Sequence, residues 1–436
     1  MKGINLDKLI NKTTELKTTS NFGHITRVIG LIIESQGPEA KIGELCLVKN
    51  SNNETIKAEV VGFNDNKLLL MPIGKVRGVR PGASVVATGE SLTVKVGNNL
   101  LGQVLNGLGE PILDDFSFKG FKEVPVISEP PNPLDRNRIT KPLSLGIRAI
   151  DGMLTCGQGQ RVGIFAGSGV GKSTLLGMIA RNTEADINVI GLIGERGREV
   201  REFLEKDLGE EGLKKSVVIV ATSDQPALVR VKAAHITTAI AEFFRDQGKE
   251  VLLMMDSITR VAMALREVGL ASGEPPTTRG YPPSVFAELP QLLERTGNDN
   301  IGSITALYTV LVEGDDFNEP ISDTVRGILD GHIVLSRDLA AKNHYPAIDI
   351  LDSVSRVMPD IITEQHLQTV GKIKHILANY IEAEDLINIG AYQTGSNPAI
   401  DEAINKIDQV NKFLRQNMKE KINFDATLEQ LKAIVK

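Results

Sequence analysis

The stretch at residues 161–182, RVGIFAGSGVGKSTLLGMIARN, constrains the fold more than any other part of the chain. The apolar run at 162–166 is typical of a buried strand, glycines follow at 167, 169 and 171, and a helical pattern starts at Lys172. Glycines let consecutive backbone N–H groups converge on phosphate oxygens, and the positive end of the helix adds to the attraction. The sequence therefore predicts a phosphate-binding loop rather than an ordinary Gly-rich turn.

The end of this loop predicts its ligand. Lys172 is placed to reach the β- and γ-phosphates of ATP, and the Ser173 hydroxyl is placed to bind Mg²⁺. The strict pattern has glycine at its first position, where this chain has Ala166, but a small residue is what that position requires. The predicted nucleotide-binding residues of the loop are Gly167, Ser168, Gly169, Val170, Gly171, Lys172, Ser173 and Thr174.

Length and composition narrow the class of protein. The chain has 436 residues, the length of about three domains, and its 41% hydrophobic and 24% charged content is that of a soluble globular protein. Its net charge of −6, its lack of Trp and its 4% aromatic content disfavour a nucleic-acid partner. Cys46 and Cys156 show no metal-ligand spacing and indicate reduced thiols. Without a signal peptide or a membrane-spanning run, we expect any membrane association to be peripheral.

Four regions are predicted from changes in pattern along the chain. Residues 1–22 carry apolar side chains at helical spacing and an excess of lysine, which indicates either a frayed terminus or an amphipathic arm that docks on a protein or on anionic lipid. Short β-type runs predict a small β-barrel at 23–91. Residues 92–362 are assigned to an ATP-binding catalytic domain, and helical periodicity predicts a helical domain at 363–436, with Asn397 and Pro398 starting one of its helices.

Strand-type and helical segments alternate after the loop, which favours a largely parallel sheet with helices on both faces. The predicted fold class is α/β, with a P-loop (RecA-like) central domain, a small β-barrel before it and a helical domain after it. The strands predicted after the loop are 187–193, 217–221, 250–255, 303–311 and 331–336.

Three further side chains are predicted to act beside the loop. Asp256 ends the apolar run VLLMMDS, which is how a second carboxylate reaches the metal in phosphate-loop ATPases. Glu195 follows the end of the strand at 187–193 and is the candidate general base that activates water, although it could also be a solvated loop carboxylate. Arg196 beside it could hold Glu195, sense the γ-phosphate or lie on the surface.

The segment HYPAIDILDSVSRVMPD supplies two more candidates. Arg356 is the candidate arginine that stabilises charge on the transferring phosphoryl group, the alternative being a structural ion pair. Tyr345, next to Pro346, is predicted to pack on adenine, the alternative being a place in the core.

Taken together, the motifs of this chain resemble those of a known family. PPNPLDRNRI, FAGSGVGKST, LIGERGREVREF, LLMMDSITR, RGYPPSVFAELPQLLERTG, ILDGHIVLSRDLA and YPAIDILDSVSRV together resemble the rotary ATPase superfamily. Within it, the chain is most similar to the flagellum-specific ATPases of the flagellar type III export apparatus, from about Gly23 to the C-terminus.

The resemblance implies a homohexameric ATPase that uses ATP and Mg²⁺ to energise protein export. It implies that Lys172 and Ser173 bind phosphate and metal, that Glu195 is the catalytic carboxylate and Asp256 the second metal-associated one, and that Arg356 acts in a neighbouring subunit's site. It places Tyr345 beside adenine. The implied partners are a stator-like regulator at the N-terminal arm, export substrates with their chaperones, and a membrane-embedded export gate. The implied location is cytoplasmic, at the inner face of the membrane.

Three alternatives remain open from the sequence. The ATPases of virulence type III secretion systems share most of these motifs. An RNA-translocating ring would need basic and aromatic groups in its N-terminal domain, where this chain offers little beyond Phe63. A subunit that binds nucleotide without hydrolysing it is disfavoured by the presence of Lys172, Glu195 and Asp256.

Overall fold

The computed structural model describes residues 22–52, 54–74, 77–112, 120–312, 314 and 316–435. They form two compact units: the first runs to Leu92 and also includes Leu270–Glu274, and the second comprises Thr93–Gly269 and the residues from Pro275 onward. The arm predicted at 1–22 lies outside the described residues except for Phe22, where the first strand begins. Within the described ranges, no helix combines the length and the apolar character needed to cross a bilayer.

The first unit is a closed antiparallel barrel. Neighbours around it follow the order β1-β2-β5-β4-β3-β6, and β1 pairs with β6 to close it. Cys46 and Val48 on one face of β3 are fully buried, and so are Val60 on the neighbouring strand β4 and Leu70 on β5 beyond it, since alternate residues of a strand point inward. The predicted β-barrel is therefore confirmed. Its strands are β1 (Phe22–Ile29), β2 (Ile32–Gln36), β3 (Glu44–Lys49), β4 (Thr55–Asn64), β5 (Lys67–Pro72) and β6 (Ser84–Ser91).

The second unit is built on a mainly parallel sheet. Its neighbours follow the order β17-β16-β10-β15-β13-β11-β12-β8, with β14 paired to β15. Only β14 and β17 run antiparallel to their neighbours among the described strands of this sheet. A separate ribbon joins β7 to β9. The strands are β7 (Thr93–Val96), β8 (Val104–Asn106), β9 (Lys122–Pro125), β10 (Arg161–Ala166), β11 (Ile187–Ile193), β12 (Ser216–Ala221), β13 (Glu250–Asp256), β14 (Gly297–Asn298), β15 (Ser303–Leu311), β16 (Gly331–Leu335) and β17 (Ile348–Ser355).

The predicted central strands are confirmed, because their apolar runs are long and buried on both faces. The strands at 187–193 and 303–311 have the predicted bounds, and the other three differ by one residue at one end. Sequence reasoning did not predict β17. This strand lies at the edge of the sheet, and its residues alternate between buried and partly exposed, so it carries no apolar run.

Helices cover the sheet and form the C-terminal region. Asn397 caps one of them as predicted, since its Oδ1 accepts a hydrogen bond from Ala399 N at 3.0 Å and Pro398 follows it. The α/β fold with its barrel and helical region is confirmed. The helices are α1 (Arg148–Met153), α2 (Lys172–Asn182), α3 (Gly197–Glu202), α4 (Gly209–Lys214), α5 (Ala227–Arg245), α6 (Ile258–Ala271), α7 (Pro283–Glu294), α8 (Pro320–Ile328), α9 (Arg337–Ala341), α10 (Met358–Ile361), α11 (Glu364–Asn388), α12 (Pro398–Leu414) and α13 (Phe424–Ile434); a π-helical turn (Phe203–Leu208) joins α3 to α4.

Candidate active site

The predicted phosphate loop joins the carboxyl end of β10 to the start of α2. Gly169 and Gly171 have φ of +81° and +89°, a region that residues with a β-carbon adopt only at a cost, and Gly171 occupies the cap position of α2. Ala166 is the last, buried residue of β10 and lies before these positive-φ positions. This explains why alanine is compatible with the loop at the position where the strict pattern has glycine.

The structure brings Lys172, Glu195 and Asp256 together at the carboxyl edge of the sheet. The Lys172 ammonium forms an ion pair with Asp256 and lies 3.6 Å from Glu195 Oε1. The side chains are largely buried: Lys172 is 11% exposed, Glu195 16% and Asp256 4%. Glu195 is anchored through its backbone, since its carbonyl accepts a hydrogen bond from Ser223 N at 3.0 Å. One ammonium thus lies between two carboxylates in a largely water-free position.

This charge cluster changes the proton affinity of its members. Burial disfavours the charged form of Lys172, but Asp256 and Glu195 outweigh it and raise the lysine's pKa. Burial and the nearby charge of Asp256 raise the pKa of Glu195 to about 7, against the opposing effect of Lys172. The ammonium therefore stays charged, and Glu195 is placed to take up a proton near neutral pH.

The other loop residues divide by exposure. Ser168 and Ser173 are exposed at the mouth of the loop, and Thr174 is partly buried in the first turn of α2. The Val170 side chain is buried, so this residue can offer a ligand only its backbone. The exposed Ser173 hydroxyl is free to face a metal bound with the nucleotide.

A cavity of about 1260 Å³ opens beside the loop. Tyr345, 41% exposed, lies on its wall, and a β-carbon built on Gly171 would be 3.4 Å from the tyrosine ring. The C-terminal region supplies another wall with Phe413 and Gln416, and Gln416 N donates to Tyr345 O at 3.0 Å. The aromatic ring, the loop and the helical region thus enclose a space adjacent to the loop that is large enough for a nucleoside.

Arg196 does not join the cluster. It follows Glu195, but its side chain is 77% exposed and pairs with Glu199 at 3.7 Å. The structure therefore gives a clear position to Glu195 and leaves the role of Arg196 as a prediction.

Arg356 lies near the amino ends of the parallel strands, whereas the loop of the same chain follows their carboxyl ends. β16 runs parallel to β10, with Leu335 beside Ala166, and β17 returns antiparallel so that Ser355 lies beside Gly331. Arg356 follows Ser355, and its N–H donates to Asp330 O at 3.0 Å. Five strand residues span roughly 15 to 20 Å. An arginine side chain reaches only about 7 Å, so Arg356 cannot act in the site of its own chain.

Sequence reasoning missed one residue in the cluster. The Thr309 hydroxyl, buried on β15, donates to Asp256 Oδ1 at 2.6 Å. A hydroxyl in the run SITALYTVL was the available signal, but only the strand order places β15 beside β13. The wall formed by Phe413 and Gln416 was missed as well, since its distance along the chain from the loop hides the contact.

A strand-to-helix phosphate loop whose lysine lies beside two buried carboxylates defines a nucleotide-binding protein of the P-loop class. Family models match the chain in the same order as its regions. The beta-barrel domain of the ATP synthase alpha/beta family matches residues 25–89, its nucleotide-binding domain matches residues 146–355, and the T3SS EscN ATPase C-terminal domain matches residues 362–433. The chain belongs to the ATP synthase alpha/beta family.

Individual relatives agree with this and with the resemblance inferred from the motifs. The flagellum-specific ATP synthase of Bacillus subtilis (strain 168) is 57% identical over 100% of this chain and 99% of its own length. The type 3 secretion system ATPase of Xanthomonas euvesicatoria is 51% identical over 95% of this chain and 94% of its own.

Two solved structures of the assembled ATPase EscN from the enteropathogenic E. coli type III secretion system are also similar. One matches with a TM-score of 0.90 at 49% identity, over 95% of this chain and 100% of that chain. The other, in complex with the central stalk EscO, matches with a TM-score of 0.88 at 48% identity, again over 95% and 100%.

Proposed function

We propose that the chain hydrolyses MgATP to ADP and phosphate and that this energises protein export by a flagellar type III apparatus. The observation that carries the chemistry is the cluster of Lys172, Glu195 and Asp256 at the end of the phosphate loop. Similarity to flagellum-specific ATP synthases supports the choice of machine. The virulence type III ATPases are the alternative, with the same chemistry in another apparatus.

The residues of the cluster have distinct roles in this proposal. The loop backbone and Lys172 hold the phosphates, for which the ammonium exchanges its contact with Asp256 for one with phosphate oxygens. Glu195 takes the proton of the attacking water, and ADP leaves as the water oxygen bonds to the γ-phosphorus. Tyr345 packs on adenine, and Arg196 supports Glu195 from the surface.

Ser173 and Asp256 fit Mg²⁺, because a hydroxyl and a carboxylate are the oxygen ligands that this ion prefers. In the described ranges no group of three His, Cys, Asp or Glu residues could hold a metal by itself. This suits an ion bound mostly through nucleotide oxygens and water. When bound, Mg²⁺ neutralises charge on the β- and γ-phosphates.

The active unit in this proposal is a homohexamer with sites at its subunit interfaces. Support comes from the position of Arg356, which is out of reach of its own loop, and from the assembled state of EscN. Arg356 of one subunit would stabilise the transition state in its neighbour. Because one chain carries both Glu195 and Arg356, identical subunits suffice for every interface.

The remaining assignments follow from similarity to export ATPases. We propose a regulator bound at the arm of residues 1–22, a division of the rest at 23–91, 92–362 and 363–436, and contact with export substrates, their chaperones and a membrane-embedded export gate. The complex of EscN with its central stalk EscO supports a stalk-like partner. The location would be cytoplasmic and peripheral at the membrane.

The experiment that tests the catalytic role is the substitution Glu195→Gln. It should bind MgATP with nearly unchanged affinity and lose turnover by at least about 100-fold, the contribution of a general base. Glu205→Gln is the control, because Glu205 is an exposed carboxylate that pairs with Arg201 outside the cluster. Hydrolysis at the normal rate by the Glu195 variant would remove this residue from the mechanism.

A further inference from the structure

We propose that Gln160 and Asp330 are positioning residues that fix Arg356 for catalysis in the neighbouring subunit. This inference rests on the proposed function of Arg356. It starts from the arginine's own surroundings: its side chain is exposed, and no hydrogen bond or ion pair holds its guanidinium within the described part of the chain. Whatever sets the position of this arginine before assembly must therefore act through its backbone.

Gln160 holds the residues at the base of Arg356. It is fully buried, and its amide donates to two acceptors, Asp330 O and Ser355 Oγ, both at 3.1 Å. Its Oε1 accepts from Gly157 N at 2.8 Å, which fixes the orientation of the amide. One side chain thus joins the residue before Arg356 to the carbonyl that receives the Arg356 N–H.

Asp330 ties the same point to the start of β10. Its carboxylate accepts three hydrogen bonds from Arg161, from the backbone N at 3.0 Å, Nε at 3.1 Å and Nη2 at 3.2 Å. Its N–H donates to Arg161 O at 2.9 Å. Because Asp330 O also accepts the Arg356 N–H, the base of the arginine is held to the sheet through a charged, largely buried pair.

The backbone itself leaves little room at this point. A β-carbon on Gly331 would lie 2.5 Å from Val354 O and 3.1 Å from Ser355 Cα. The Ser355 hydroxyl also donates to Thr155 O at 3.0 Å. β16 and β17 are therefore in close contact where the chain enters Arg356, and a shift of the arginine requires these hydrogen bonds to break.

A purely structural role would predict a loss of stability alone, whereas a positioning role predicts a loss of turnover that depends on Arg356. Displacing a catalytic group by about 1 Å can cost about 100-fold in rate. We expect Gln160→Met, which keeps the volume and removes the hydrogen bonds, to lower kcat roughly 10- to 100-fold with KM little changed. Asp330→Asn should act in the same direction and serves if the Gln160 variant does not fold.

The test is a double-mutant cycle with Arg356→Ala, measured on assembled protein. Gln160→Met should lower kcat in the unaltered background and have no further effect once Arg356 is absent. The matched control is Asn188→Leu, since Asn188 is also fully buried and its amide also donates two hydrogen bonds, to Ala180 O and Ser216 Oγ. This control should cost stability and leave kcat within about twofold.

Two failures can be told apart. If Arg356→Ala alone leaves kcat unchanged, the proposed function of the arginine is wrong, and the positioning role falls with it. The inference is overturned if Arg356→Ala abolishes turnover but Gln160→Met and Asp330→Asn leave kcat unchanged. It is also overturned if these two variants lower kcat no more than Asn188→Leu does, because the arginine then acts without these residues.

Discussion

Two inactive variants of this chain should restore each other's activity when they are mixed. Lys172→Ala removes the phosphate lysine and leaves Arg356 intact, whereas Arg356→Ala leaves the loop intact. Each variant alone should assemble and hydrolyse almost no ATP. In a mixed ring, an Arg356→Ala chain supplies a working loop and a neighbouring Lys172→Ala chain supplies the arginine, so that interface is complete.

The structure and random mixing together set the fraction of activity that the mixture should recover. The loop follows Ala166 at the carboxyl end of β10, and Arg356 lies beyond Ser355, at the level of Arg161 at the other end of that strand. The separation of roughly 15 to 20 Å excludes any contribution within one chain. With equal amounts and random assembly, about one quarter of the interfaces are complete, so the mixture should recover about a quarter of the unaltered activity.

The assay is release of phosphate from MgATP, after the variants have been dissociated, mixed and reassembled, with size-exclusion chromatography to verify the rings. The control mixes Lys172→Ala with Glu195→Gln: both changes affect the loop's own site, so no interface is complete and no activity should return. Recovery in the control, or none in the test mixture despite mixed rings, would refute the assignment of loop and arginine to different chains.

The remaining predictions concern pH and packing. Glu195 must be ionised to accept a proton, and its pKa is raised to about 7, so kcat/KM should fall as the pH drops through about 7. MgATP binding to Glu195→Gln, measured in parallel, corrects for titration of the nucleotide. A flat profile of kcat/KM down to about pH 5.5 would contradict this prediction. Gly177→Ala should destabilise the protein by about 1 to 3 kcal/mol in denaturant unfolding, because the new β-carbon would lie 2.6 Å from Asp207 Cβ and 2.7 Å from its carbonyl oxygen. Gly371→Ala, on an open face of α11, should instead stabilise it by about 0.5 to 1 kcal/mol. Stabilisation by both glycine changes would show that helix propensity outweighs packing at Gly177, and destabilisation by both would contradict the expected gain at Gly371.

The cluster could be predicted from the sequence because each member has a local signal. The loop has its glycine spacing, and Glu195 and Asp256 each come at or just after the end of a long apolar strand. Parallel strands bring their carboxyl ends to one edge, so three separate signals converge on one site.

The parts that were missed depend on the strand order. Thr309 contacts Asp256 only because β15 lies beside β13. Gln160, just before β10, reaches Ser355 on β17 only because a single strand, β16, lies between these two strands. A buried hydroxyl or amide does not indicate its partner when that partner lies tens or hundreds of residues away. The edge strand β17 was hidden for a different reason: its half-exposed residues resemble those of a loop.

β17 connects residues that would serve two different subunits. Tyr345 lies just before the strand, beside the loop of its own chain, and Arg356 follows directly after it, beyond the opposite edge of the sheet. If both residues have the roles proposed above, the length of this strand sets the distance between a group that acts in one subunit's site and a group that acts in the neighbouring subunit's site. Inserting or deleting one residue would misplace a group in each of two subunits. We therefore expect substitutions at the exposed positions of this strand to be tolerated better than any change in its length.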